Sequence, residues 1–119
     1  MAKRLGYKIP SLIHAKAIVS LHSDIGEGTC IMPGAIINSG AVIEHDCIIG
    51  DNANISPDVS IAGGVKVGNN THIGIGSSII QNLSIGSNLI IGAGAVVLNN
   101  IKDNVVAVGI PAKTIKEII

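Results

Sequence analysis

The sequence predicts an all-β fold: a parallel β-helix in which three hexads make each triangular coil. Three observations carry that expectation. An Ile or Val recurs every six residues from Ile13 to Val97, fifteen positions in a row without an insertion. The chain holds 24 Ile but a single aromatic residue, Tyr7, so branched aliphatics must fill the interior that aromatics usually fill. Gly often follows the aliphatic residue directly, as at Gly26, Gly50, Gly68, Gly74, Gly86 and Gly92.

A helical period of 3.6 residues cannot generate a strict six-residue repeat, whereas short strands with a turn every six residues can. In this pattern the aliphatic residue points inward. A small residue four positions later, such as Ala35, Ala41, Cys47 or Ala53, fits near a corner. Gly or Asn takes the unusual turn dihedrals. Residues 13–102 then give about five triangular coils of 18 residues, stacked at about 4.8 Å. Each end of such a stack exposes a strand edge that needs a cap. Residues 1–12 are the candidate N-terminal cap or connecting segment. Residues 103–119 form the candidate tail, where Pro111 followed by AKTIKEII reads as a short C-terminal helix.

Composition removes several function classes. Eight Lys and Arg balance eight Asp and Glu, so the basic surplus of a nucleic-acid or electrostatic membrane binder is missing. A hydrophobic content of 47% argues against disorder. Gly, Asn or a charge interrupts every apolar run before the length of a membrane span. Two cysteines 17 apart make no metal or disulfide framework. The expectation is a cytoplasmic protein with reduced thiols.

The 18-residue register places chemistry. His45 lies one coil from Gly63, in a corner column with Glu27, Gln81 and Asn99. A second column runs Ile18, Ile36, Asn54, His72, Ile90 and should face outward, its Ile residues marking an interface or lying under the tail. His45 and Asn54 stand half a coil apart, so they line one site only if two subunits meet, as in a homotrimer with sites at its clefts. Between Glu44 and Asp46, His45 is either a proton acceptor supported by a carboxylate or an exposed turn residue.

The hexads resemble the left-handed parallel β-helix of acyltransferases, and the left hand is taken from that resemblance. More specifically, VIEHDCIIGDNANISPDVSIAGGVKVG, then IGIGSSIIQNLSIGSNLIIGAGAVV, GIPAK and the opening LGYKIPSLIH are similar to the sialic-acid O-acetyltransferase and UDP-N-acetylbacillosamine N-acetyltransferase family. The likeness covers nearly the whole chain. It implies acetyl transfer from acetyl-CoA to an amine or hydroxyl of a sugar, nucleotide-linked or a sialic acid. It implies His45 as general base and Asp46 as the acid that raises its basicity. It points to Gly63 as backbone donor to the oxyanion; from sequence alone Gly63 is equally a corner Gly chosen for its dihedrals. For acetyl-CoA it implies the positions of Asn54, where the family has His, and of Ile75 and Ala93. Lys113, in the terminal GxPAK motif, either meets a CoA phosphate or is a solvated tail residue. His72 either replaces the missing ring or is an ordinary surface His. No metal is implied.

Full-length members of that family carry an N-terminal nucleotide-sugar-binding domain, and this chain begins where the connecting segment would be. Three other readings are weaker. A γ-class carbonic anhydrase shares the fold but needs three His around one zinc, two of them close in sequence; here the gaps are 8, 23 and 27 residues. A non-catalytic trimeric scaffold, or a fragment lacking its acceptor domain, is favoured by Asn54 and opposed by the His45-Asp46 pair. An ice-binding β-helix would want a Thr ladder, and only three Thr occur.

Overall fold

A computed structural model describes residues 11–118. The candidate cap and the opening motif therefore fall largely outside the described residues. Strands of two residues alternate with turns to give a left-handed parallel β-helix of about five coils. Its first face stacks β1 (Leu12–Ile13), β4 (Cys30–Ile31), β7 (Ile48–Ile49), β10 (Lys66–Val67) and β13 (Ser84–Ile85). The second face stacks β2 (Ile18–Val19), β5 (Ile36–Ile37), β8 (Asn54–Ile55), β11 (His72–Ile73) and β14 (Ile90–Ile91), and continues into β16 (Val105–Val108) and β17 (Lys113–Glu117). The third stacks β3 (Asp24–Ile25), β6 (Val42–Ile43), β9 (Ser60–Ile61), β12 (Ser78–Ile79) and β15 (Val96–Val97).

Pairing between coils is in register at 18 residues, as in Asn54↔His72 and Val42↔Ser60. From Ile31 onward every aliphatic hexad position is buried, together with the small residues between them. The inward stripe is therefore a continuous column of branched aliphatics, favourable because each removes most of its area from water.

Two kinds of Gly serve different ends. The positive-φ residue of each turn lies three positions after the Ile: Gly28, Gly34, Gly40, Asp46 and Asn52 begin that series. Only Gly, Asn and Asp occur there, the residues that tolerate the left-handed region best. The Gly directly after the Ile was expected to take the turn dihedrals, but it is small for a different reason. A Cβ on Gly50 would sit 2.7 Å from the Gly68 carbonyl carbon of the next coil.

The tail departs from the expected helix. Lys113–Glu117 is β17, paired antiparallel with β16 through Val105↔Glu117 and Val108↔Lys113. A nine-residue helix would be marginal by itself. Here the unpaired edge of β16 offers a full set of backbone partners instead. The last coil is also two residues short: Ile101 bridges to Ile85, and Val106 pairs with Ile90.

Candidate active site

The turn between β6 and β7 carries His45 and Asp46 out to the edge where the third and first faces meet. Asp46 occupies the positive-φ position of that turn at φ 58°. This conformation brings its carboxylate beside the preceding side chain: His45 Nδ1 and Asp46 Oδ2 are 3.0 Å apart. With the proton on Nδ1 donated to the carboxylate, Nε2 is left as an acceptor facing outward. Both side chains are more than half exposed, so substrate can reach the pair.

Gly63 lies directly against the imidazole. A methyl group on Gly63 would stand 2.8 Å from both Cε1 and Nε2 of His45. Its φ is not in the positive region; Gly64 takes that position at φ 73°. Space for the ring, not dihedral freedom, is what the structure asks of Gly63. Gly28 makes room for Asp46 in addition to taking a positive φ of 71°: the Asp46 Oδ1 occupies the place a Cβ on Gly28 would need. The Gly63 N–H has no hydrogen-bond partner among the described residues. His45, Asp46, Gly63, Gly64, Gln81 and Asn82 together line a cleft of about 250 Å³.

The remaining expected site residues stand elsewhere on the prism. Asn54 and His72 are neighbours on the second face. Asn38 Nδ2 donates both to the Ile55 carbonyl (2.9 Å) and to Asn54 Oδ1 (3.0 Å). His72 Nε2 lies 3.4 Å from Ser56 Oγ. Ile75 and Ala93 sit in turns at the edge between the second and third faces and are exposed. Lys113 opens β17 and is exposed. Within one chain, then, the structure joins His45, Asp46 and Gly63, and leaves Asn54, Ile75 and Ala93 on another face and edge.

Cys47 is buried, and its thiol lies 3.2 Å from the Ala62 carbonyl oxygen. Its place four residues after Ile43 marks it only as a small corner residue; a thiol or hydroxyl at such an inward position is the signal for the bond. Burial pushes the Cys47 thiol above its ordinary pKa, so it stays protonated near neutrality. Among the described residues, no group of three or more His, Cys, Asp or Glu is placed to hold a metal, and no helix is long and apolar enough to cross a membrane.

The chain is similar to PerB of Caulobacter crescentus, crystallised with CoA and GDP-perosamine: 38% identity, TM-score 0.69, covering 97% of this chain and 61% of that one. It is similar to the acetyltransferase domain of PglB from Neisseria gonorrhoeae, crystallised with acetyl coenzyme A: 34% identity, TM-score 0.61, covering 96% and 62%. It thus spans about three-fifths of the length of each. A hexapeptide-repeat acetyltransferase of Vibrio cholerae shares the fold at 19% identity and TM-score 0.82, covering 99% and 78%. The family model described as bacterial transferase hexapeptide (six repeats) matches residues 22–56, 31–63, 46–74 and 64–99. With the hexads, the triangular coils and these matches in agreement, the chain belongs to the bacterial transferase hexapeptide family.

Proposed function

We propose that this chain is an acetyltransferase that moves the acetyl group of acetyl-CoA to a sugar, with His45 as general base. The observation that carries the reading is the three-part arrangement at one edge: His45 held by Asp46 at 3.0 Å, and Gly63 against its ring with an uncommitted N–H. The relatives' ligands support the donor and the acceptor class. PerB was crystallised with CoA and a nucleotide-linked amino sugar, and the PglB domain with acetyl coenzyme A.

Nε2 of His45 takes the proton from the acceptor amine or hydroxyl as it attacks the thioester carbonyl. Asp46 holds the ring and balances the positive charge it acquires. The Gly63 N–H donates to the carbonyl oxygen as negative charge builds there. The imidazolium then returns its proton to the departing thiolate, which restores the base. Asn54, the backbone at Ile75 and Ala93, and Lys113 hold the CoA arm and phosphates. Since these lie off the His45 edge, the complete site forms where copies meet, in a homotrimer acting in the cytoplasm. The exposed Ile18 and Ile90 on the second face suit such a contact.

The test measures thiol release from acetyl-CoA with UDP- and GDP-linked amino sugars, sialic acid and simple amines, alongside light scattering. Acceptor-dependent release by a trimer, lowered about 10²–10⁴-fold in His45→Ala, is the expected result. A folded trimer that binds no acetyl-CoA and releases no thiol favours the scaffold reading, and a monomer breaks the shared-site geometry.

A further inference from the structure

Four inward side chains repeat one hydrogen bond. Each reaches the carbonyl fifteen residues ahead, on the next coil: Thr29 Oγ1 to Glu44 O at 2.8 Å, Cys47 Sγ to Ala62 O at 3.2 Å, Thr71 Oγ1 to Gly86 O at 2.7 Å, and Ser77 Oγ to Gly92 O at 2.9 Å. All four side chains belong to buried residues. Most other inward small positions hold Ala, Val or Leu, which have no donor to give.

A trans peptide is planar, with its C=O and N–H pointing opposite ways. A donor that holds the carbonyl from inside the prism therefore aims the N–H of the following residue outward. For Cys47 that following residue is Gly63; for Ser77 it is Ala93. The Gly63 and Ala93 N–H groups have no partner among the described residues. The Cys47 S–H has a second oxygen within range, His45 O at 3.7 Å, but that carbonyl already accepts the Gly64 N–H at 3.0 Å. The Ala62 carbonyl has no other donor among the described residues, so the single S–H goes there.

We infer that Cys47 and Ser77 are positioning residues: each locks, from inside the prism, the peptide whose outward N–H serves acetyl-CoA, at Gly63 for the reacting carbonyl and at Ala93 for the pantetheine arm. This rests on the acetyl-transfer reading above. The protonated state of the buried Cys47 thiol keeps its donor available across the neutral range. The two locks act at different stages, so their losses separate. An N–H that meets charge only as it develops affects kcat, whereas one that meets the arm throughout affects KM.

The test compares Cys47→Ala, Cys47→Ser and Ser77→Ala in the full chain, with melting temperature and the carbonyl ¹³C shifts of Ala62 and Gly92 recorded for each. Cys47→Ala should lower kcat about tenfold with KM for acetyl-CoA unchanged and should move the Ala62 shift. Cys47→Ser, which restores a donor, should recover most of both. Ser77→Ala should raise KM about fivefold at constant kcat and move the Gly92 shift. Unmoved carbonyl shifts overturn the locks themselves. Moved shifts with wild-type kinetics overturn their catalytic role, as do equal losses in the Ala and Ser variants of Cys47. A wild-type chain that binds no acetyl-CoA overturns the acetyl-transfer reading, and the role of the locks with it.

Discussion

Two edges of the same prism treat identical backbone positions in opposite ways. Where the first and second faces meet, the turn N–H groups of Asp51, Asn69 and Ser87 are each closed by a side chain from the next coil. Asn69 Oδ1 accepts from the Asp51 N–H at 2.9 Å, Ser87 Oγ from Asn69 at 2.9 Å, and Asp103 Oδ1 from Ser87 at 2.8 Å. Where the third and first faces meet, the equivalent N–H groups belong to His45, Gly63 and Gln81, and none has a partner among the described residues. The repeat can satisfy these donors and does so on one edge. Leaving them open on the other creates a row of outward donors beside His45, which Asp46 holds. On the proposed acetyl-transfer reading, structure and function divide between edges built from the same hexad.

The largest expected effect comes from filling the gap on the open edge. Gly63→Ala meets no dihedral obstacle, yet its methyl group needs the space of the His45 ring. Melting should be nearly unchanged while kcat/KM falls about 10²-fold, the scale of losing an aligned base; wild-type turnover in this variant would show that the ring need not lie against residue 63. A smaller effect should follow from closing the open edge on purpose. Gln81→Ser gives Gly63 the cap that Ser87 gives Asn69. Acetyl transfer should then drop about tenfold as the N–H becomes occupied, with slightly raised stability of about 0.5 kcal/mol. Unaltered kinetics with a cap visible in a crystal structure would deny Gly63 its role as donor. The smallest is on the closed edge: Asn69→Ala removes one exposed cap and should cost about 1 kcal/mol, read as a fall of a few degrees in melting temperature, with transfer intact. A loss of activity there would erase the division between the edges.

The hexads made the coils, their register and the buried column legible, because one residue type recurs at one azimuth. The His45-Asp46-Gly63 grouping was legible too, since 18 residues is one coil. What the sequence hid was local physics between coils. Gly after Ile looks like a turn residue, but Gly50 is demanded by the backbone 2.7 Å above it. Gly63 looks like either a dihedral or a donor, and only its closeness to the imidazole distinguishes a third requirement. AKTIKEII has adequate helix propensity. The open edge of β16, a feature of the assembled fold, overrides it. Cys47 looks apolar until its thiol is seen facing a carbonyl that no other described group satisfies.

The in-register stacking has a consequence for how such a molecule can change over generations. Duplicating one 18-residue unit lengthens the prism by about 4.8 Å and leaves every azimuth where it was. Losing one unit shortens it by the same step. A ligand lying along an edge is therefore measured by a ruler with integer divisions. The reach from the reacting centre to whatever grips the far end of that ligand can be reset by copying a stretch of DNA, with no new turn, core or strand to invent.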